Sequence, residues 1–268
     1  MSDLTVDLYD PGSLRRALDA APEEPAVLTD DHRRALAARF RAVPDLAHRR
    51  LDAWTVETAG RDASAFTWTP AAARRTLATA ALRRVTASRG LALTSAVRDA
   101  LEERVARGRT GQRASGSLDA WLERVGEPVR GLVVAEAVGW AAATLEAAHG
   151  VTAPWTVPPS DCYYDVAAAR TTLRGRRDLE FRVGERRVVV RLRAGSPRAS
   201  AGAGLRADLV VCALADPAGV APARLVGLWP EAGVVLGVDG SMEDLRAGAR
   251  DLVRAAVAAR RRRLVLAA

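Results

Sequence analysis

The chain has 268 residues, of which 49% are hydrophobic and 27% are charged, so its composition excludes an intrinsically disordered protein and allows a sizeable core. The formal net charge is +8, and all 40 basic residues are arginine because the sequence contains no lysine. Chemistry that needs a lysine nucleophile or a Schiff base is therefore excluded. Arginine keeps the positive charge but stays protonated, so it does not act as a general base.

The positive charge is concentrated in one segment. Between Arg170 and Ser200 there are ten arginines against three acidic residues. A basic face of this kind attracts polyanions through the release of counterions. Two interpretations stay open at this point. The arginines either contact nucleic acid, or they form a solvated β-surface and reflect GC-rich coding.

Cysteine usage and the N-terminus indicate the cellular compartment. Cys162 and Cys212 provide neither a disulfide framework nor a zinc-binding pattern. Because Cys162 falls in a predicted loop and Cys212 in an apolar helix, we expect no bridge between them. The chain has no arginine-rich start followed by an apolar segment, and no run of about 18 apolar residues. These features predict a cytoplasmic protein without membrane contact.

Residues 1–115 are predicted to form a helical region. Within it, Leu46–Val56 is predicted as a helix because Leu51 and Trp54 recur on one face. The pair Thr69–Pro70 is a clear helix start, with threonine at the N-cap and proline at the first helical position.

Residues 116–268 are predicted to form a second domain, a mixed β-sheet flanked by helices, which makes the whole chain an α+β protein. The helix from Val129 to about His149 is apolar over most of its surface, which predicts burial. Alternating apolar residues predict a hairpin around Gly184–Glu185. Further predicted elements are a hairpin pair at Leu179–Val183 and Val188–Leu192, a helix at Leu205–Leu214, strands at Arg224–Trp229 and Val234–Val238, and a final helix from Met242 to about Arg263.

Two short motifs carry a family resemblance. Leu173–Asp178 reads LRGRRD and is similar to the Gly-Arg-x-Asp that precedes a metal ligand in RecB-type nucleases. Val188–Pro197 reads VVVRLRAGSP and has the frame of the acid-x-Lys strand of the same nucleases. Together with the order helix, three strands, helix and strand over about Gly131 to Arg260, these motifs make the chain resemble the PD-(D/E)xK nuclease superfamily.

The resemblance implies specific roles for a few residues. In such nucleases two strand carboxylates, often with an acid from the preceding helix, hold Mg²⁺ or Mn²⁺, and a lysine orients the attacking water. The resemblance assigns Asp178 to the first acid and Glu136 to the helix acid, whereas Arg191 stands at the second acid and Arg193 at the lysine. A guanidinium at the second acid repels a divalent cation. We therefore expect a degenerate member without a cofactor, and Mg²⁺ or Mn²⁺ on Asp178 and Glu136 only if the protein is active.

The two acids also have interpretations that need no metal. Asp178 is either a surviving ligand or the ion-pair partner of Arg176, Arg191 or Arg193, and the many arginines around it favour the ion pair. Glu136 lies on an apolar helix, where a buried acid needs a partner. We expect that partner to be an arginine of the core sheet.

The leading hypothesis is a catalytically degenerate protein that binds nucleic acid or an acidic partner through its arginine-rich face. The alternatives are an active Mg²⁺- or Mn²⁺-dependent DNA nuclease with Asp178, Glu136 and Arg193 as its catalytic candidates, and a structural protein-interaction module. Tryptophans such as Trp140 and Trp229 either stack bases or fill the core, and the core is favoured. The predicted nucleic-acid contacts are Arg174, Arg176, Arg177, Arg191, Arg193 and Arg198.

Overall fold

A computed structural model describes residues 4–7, 12–43, 49–59, 67–88, 90–110, 116–159, 161–167 and 169–267, without the side chains of residues 4–7, 49 and 260–267. It has runs of consecutive helices and of consecutive strands, with helices flanking the sheets, which confirms the predicted α+β class. The helices in these ranges are α1 (Ser13–Asp19), α2 (Asp30–Arg41), α3 (Ala53–Glu57), α4 (Pro70–Ala87), α5 (Leu93–Arg109), α6 (Leu118–Arg124), α7 (Glu127–His149), α8 (Ala201–Ala215) and α9 (Met242–Ala267).

The strands of the described residues form two sheets. They are β1 (Leu4–Asp7), β2 (Arg49–Asp52), β3 (Trp155–Thr156), β4 (Asp161–Val166), β5 (Thr171–Arg176), β6 (Leu179–Val183), β7 (Arg186–Leu192), β8 (Arg224–Trp229) and β9 (Val234–Asp239).

The larger sheet has six strands in the order β1-β9-β8-β7-β6-β3. β7 and β8 are parallel and the other neighbours are antiparallel, so the sheet is mixed as predicted. α8 is the crossover that a parallel pair requires. The predicted β6–β7 hairpin is confirmed, and Gly184 in its turn has a φ of 60°, a conformation that costs glycine little.

The smaller sheet corrects one helix prediction. Arg49–Asp52, predicted as part of a helix, forms β2 and pairs in parallel with β5, whose other neighbour is the antiparallel β4. This pairing buries Leu51 beside Leu173, so the tertiary contact overrides the helical spacing. α3 begins only after β2, while residues 44–48 lie outside the described residues. The predicted start of α4 is confirmed, because Thr69 accepts a hydrogen bond from the backbone N–H of Ala72.

Helices cover both faces of the larger sheet. Because side chains alternate along β7, Val190 and Leu192 face the core that α4, α5 and α7 complete. Val189 faces the opposite core, which α8, α9 and the smaller sheet complete. Arg191 lies between Val190 and Leu192 and therefore points to the α8 side. This face of the sheet holds the candidate site.

α7 is less enclosed than its sequence predicts. Val133, Ala137 and Trp140 are buried against α4 and α5, but Leu132 is 49% exposed. By length and composition alone this helix is apolar enough to cross a membrane. Its packing against α4 and α5 buries one side and leaves another exposed to solvent, so the burial predicted from its apolar surface holds for one side of the helix.

The predicted domain boundary at residue 115 falls at the end of a segment, residues 111–115, that lies outside the described residues. Elements on the two sides of this boundary share both sheets. β1 pairs with β9, and β2 pairs with β5. The N-terminal region thus supplies strands as well as helices.

Candidate functional site

The candidate site is a cleft of about 560 Å³ at the end of β7. Its walls come from β2, α3, the first turn of α4, β5 and α8. We call it the arginine cleft. Its charged and aromatic lining consists of Arg75, Arg174, Arg176, Arg191, Arg193, Arg198, Asp52, Glu57, Asp208, Trp54, Trp68 and Trp229.

Arg191 is the centre of the site, and it is buried with only 2% of its surface exposed. Its Nε atom lies 3.2 Å from Oδ2 of Asp208 and 3.9 Å from Oδ2 of Asp178. Burial by itself would lower the pKa of Arg191, but the charges of Asp208 and Asp178 outweigh it and raise that pKa above its ordinary value. Nε and Nη1 have no hydrogen-bond partner among the described residues. The guanidinium is therefore a buried cation that forms ion pairs with two carboxylates.

Asp178 joins the start of β6 to the end of β7. Its backbone N–H donates to the carbonyl of Val190 at 2.9 Å, and its Oδ2 accepts from the N–H of Leu192 at 2.8 Å. The carboxylate thus holds the register of the two strands while it faces Arg191. This geometry favours the ion-pair interpretation of Asp178 over its interpretation as a metal ligand.

Asp208 is the second carboxylate of the site, and α8 brings it there. Its Oδ1 accepts the backbone N–H of Arg176 at 3.0 Å, which ties the helix to β5. Burial raises the pKa of Asp208 to about 6, although Arg191 and Arg193 act in the opposite direction. Asp208 is therefore a weaker acid than an exposed aspartate.

The raised pKa of Asp208 predicts a pH dependence of stability. Protonated Asp208 favours the folded state, so its contribution is complete below the unfolded pKa of 3.8 and is lost as the pH rises through about 6. In Asp208→Asn this dependence should disappear. The difference in unfolding free energy between wild type and variant should fall by about 2 kcal/mol from pH 4 to pH 7. Urea unfolding across that range measures it, with Glu243→Gln as the surface control; a constant difference would contradict the assignment.

Arg193 continues the site toward the cleft entrance. It forms an ion pair with Glu57 of α3. Its guanidinium lies over the ring of Trp229, 5.6 Å from the ring centre, which is within the distance of a cation–π contact. Glu57 is buried against the first turn of α8, where a Cβ on Gly204 would lie 1.9 Å from its Oε1. Glycine at position 204 therefore makes room for the partner of Arg193.

Most of the arginines predicted to bind nucleic acid already have partners. Arg174 and Arg176 pair with Asp161 of β4 at 2.9 Å and 3.3 Å. Arg177 donates to the carbonyl of Pro159 at 3.2 Å. Arg174 and Arg176 line the arginine cleft, whereas Arg177 lies outside its lining.

Arg198 differs from the arginines on the strands. It is exposed, and its guanidinium lies 5.4 Å from the ring centre of Trp54, which is itself 49% exposed. The two side chains offer a cation and an aromatic face to solvent at the mouth of the arginine cleft.

Glu136 does not join Asp178. It lies on α7, which packs on the opposite face of the sheet, and it pairs with Arg74 of α4 at 3.3 Å. Arg74 also pairs with Glu231. The expectation of a partner from the core sheet is therefore corrected, because α4 lies next to α7 and supplies the arginine.

A divalent cation does not fit the donor set that the structure brings together. The two carboxylates that meet, those of Asp178 and Asp208, already enclose the guanidinium of Arg191. Among the described residues no group of three or more His, Cys, Asp or Glu side chains could hold a metal ion.

The two cysteines are closer than the sequence predicts. Cys162 lies in β4 rather than in a loop, and its Sγ is 3.7 Å from Sγ of Cys212 in α8. Both thiols are free and buried. β4 was not recognised in the sequence, because its residues DCYYDV mix polar and aromatic side chains.

Several cleft residues were missed by sequence reasoning. Trp54, Trp68, Arg75 and Glu57 come from the N-terminal region, and no local motif marks them. Asp208 lies within the predicted apolar helix at Leu205–Leu214, and no local motif marks it. The pairing of β2 with β5 and the packing of α3 on α8 bring Trp54 and Glu57 to the end of β7.

Comparisons with known proteins give no relative. No protein-family model, no curated protein and no solved structure matches the chain.

Proposed function

We propose that the chain is a catalytically degenerate PD-(D/E)xK-like protein of the cytoplasm that binds single-stranded nucleic acid in the arginine cleft. The observation that carries this proposal is the buried guanidinium of Arg191 between Asp178 and Asp208. It puts a fixed positive charge where the resemblance expects a divalent cation. The proposed protein thus has the scaffold of a nuclease but lacks the metal-binding centre that performs hydrolysis.

The order of the elements supports the proposed relationship. α7, β3, β6, β7, α8 and β8 follow the order helix, three strands, helix and strand, with β4 and β5 inserted after β3. Asp178 immediately precedes β6 and forms an ion pair with Arg191 near the end of β7, the other strand of this hairpin. These are the positions that the resemblance assigns to the two strand acids.

The mouth of the cleft supports nucleic acid as the ligand. Arg198 and Arg75 supply cations, and Trp54 supplies an exposed aromatic face. Arginines beside aromatic rings suit a single strand, because phosphates contact the cations while unpaired bases stack. In a duplex the bases are already stacked on each other, so Trp54 would have no base to contact.

An active nuclease is the second candidate, and Asp208 is the observation that favours it. Asp208 is an acid from another element beside Asp178, as this candidate requires. Arg191 would then have to leave both carboxylates before a metal ion could bind. Cleavage of DNA with Mn²⁺ that disappears in Asp178→Ala would establish this candidate and remove the degenerate one.

Binding can be tested by fluorescence anisotropy with labelled single-stranded and duplex oligonucleotides. We expect the single strand to bind more tightly, with a Kd that rises steeply with salt. Trp54→Ala should weaken single-strand binding by about tenfold, because each stacked base contributes about 1–3 kcal/mol. Arg198→Ala should weaken binding and reduce the salt dependence.

The matched control is Arg182→Ala. Arg182 is exposed and lies in β6 near the hairpin turn, away from Asp178 at the start of that strand. Its Kd should equal that of the wild type. If the wild type binds no oligonucleotide at low salt, the proposed function is contradicted. The hypothesis of a structural protein-interaction module would then be favoured.

A further inference from the structure

The pair Cys162 and Cys212 is the second chemical feature next to the arginine cleft. They are the two cysteines of the chain, and 3.7 Å separates their sulfur atoms. A disulfide requires about 2.05 Å, so the sulfurs need to approach by roughly 1.7 Å. A movement of this size lies within the reach of a side-chain rotation combined with a small shift of the strand.

The two thiols differ in reactivity. The hydrogen bond from Cys212 lowers the pKa of Cys162 although its burial acts in the opposite direction. The same hydrogen bond, together with burial, raises the pKa of Cys212 well above its ordinary value. Cys162 is therefore the thiol that ionises first, and the thiolate is the nucleophilic form of cysteine.

Cys162 and Val211 pack closely around Gly175 between β5 and α8. Gly175 pairs with Cys162 across β4 and β5, and a Cβ on Gly175 would lie 2.8 Å from Sγ of Cys162 and 2.9 Å from Cβ of Val211. Sγ of Cys162 and Cβ of Val211 therefore both lie close to the backbone of Gly175, and we expect closure of a Cys162–Cys212 bond to shift β5 against α8.

β5 and α8 both carry walls of the arginine cleft. Gly175 lies between Arg174 and Arg176, whose partner Asp161 precedes Cys162. On the helix, Asp208 lies one turn before Cys212 and accepts the backbone N–H of Arg176. The two sulfur atoms thus lie on the same two elements that fix the position of these arginines.

We propose that Cys162 and Cys212 form a reversible disulfide when a hydroperoxide oxidises them, and that its closure displaces Arg174 and Arg176 and weakens single-strand binding. The disulfide and the displacement stand on the geometry alone, whereas the effect on binding rests on the proposed function.

The chemistry balances with the peroxide as the oxidant. The Cys162 thiolate attacks one peroxide oxygen, the O–O bond breaks, and the product is a sulfenic acid and, after protonation, one molecule of water or alcohol. The Cys212 sulfur then attacks the sulfenic sulfur, an S–S bond forms, the S–O bond breaks, and water leaves with the thiol proton. Two thiols are oxidised by two electrons, and one peroxide is reduced. A dithiol reductant reverses the reaction by exchange.

The test treats the full chain with hydrogen peroxide and then measures free thiols, intact mass and amide hydrogen exchange. We expect the loss of both thiols in an intramolecular disulfide, recovered with dithiothreitol, in the wild type but not in Cys162→Ser or Cys212→Ala. Exchange of the amides of Arg174 and Arg176 should change on oxidation. The Kd for a single-stranded oligonucleotide should rise roughly fivefold, as expected for the loss of one ion contact.

The outcomes separate the two proposals. Thiols that survive peroxide, or that over-oxidise without forming the disulfide, overturn the modification site. A disulfide that leaves both the amide exchange at Arg174 and Arg176 and the Kd unchanged overturns the coupling to the cleft. If the reduced protein binds no oligonucleotide, the proposed function fails, and the thiol and exchange measurements still decide the disulfide and the displacement.

The two single variants serve as each other's folding control, because their melting temperatures are compared with that of the reduced wild type.

Discussion

Arg191→Ala is expected to lower the free energy of unfolding by about 3–5 kcal/mol, the loss typical of breaking a buried ion pair. Without the guanidinium, Asp178 and Asp208 are left as two buried carboxylates with no cation between them. Removal of one partner costs more than the pair contributes, because the remaining charges keep their desolvation penalty. Urea unfolding at pH 7 measures the loss.

Two further variants test the origin of this loss. Arg182→Ala removes an exposed arginine from the neighbouring strand and should change stability by less than about 0.5 kcal/mol. A triple variant that carries Asp178→Asn, Asp208→Asn and Arg191→Met has none of the three charges. It should recover most of the stability. An Arg191→Ala protein within about 1 kcal/mol of the wild type would show that the guanidinium does not neutralise the two acids.

Arg191→Glu is expected to create affinity for Mn²⁺. The substitution places a third carboxylate next to Asp178 and Asp208, which is the set of hard oxygen ligands that such ions prefer. Without metal the variant should be less stable than Arg191→Ala, because three acids then repel each other. With Mn²⁺ at about 100 times its Kd the variant should gain about 2.7 kcal/mol, measured as a rise in Tm that chelation reverses.

The wild type and Arg182→Glu are the controls for this gain. Both should show the same Tm with and without Mn²⁺, because one retains the central guanidinium and the other adds its carboxylate at an exposed position. Electron paramagnetic resonance of Mn²⁺ should report bound ion in Arg191→Glu alone. An equal response of the wild type would show that Arg191 does not exclude the metal.

The sequence predicted those parts of the fold that local patterns specify. The β6–β7 hairpin follows from alternating apolar residues around Gly184, and the start of α4 follows from Thr69 and its following proline. The α+β class follows from the succession of such elements. Each of these signals acts over a few residues and does not depend on the rest of the chain.

Elements that depend on distant partners were not predicted. β2 has the spacing of a helix, and it becomes a strand only because β5 lies beside it. The exposed side of α7 is decided by where α4 and α5 pack, since the apolar residues of α7 lie on all its sides. The contact between Cys162 and Cys212 needs β4 and α8 to meet across 50 residues of sequence.

The candidate site was predicted in part for the same reason. The resemblance directed attention to Asp178, Arg191 and Arg193, which lie close together because β6 and β7 are a hairpin. It gave no information on Asp208 as the second carboxylate. The partner of Glu136 was misjudged, because the arginine that reaches it comes from α4 on the opposite face of the sheet. Such contacts depend on how the helices pack against the sheet. Local patterns in a single sequence do not specify that packing.

The most direct test of the central claim is an anomalous diffraction measurement on crystals of the wild-type protein soaked in Mn²⁺. We expect electron density for the guanidinium of Arg191 between Asp178 and Asp208. We expect no anomalous peak at coordination distance from either carboxylate. A manganese peak on Asp178, with Arg191 displaced from the two acids, would contradict it.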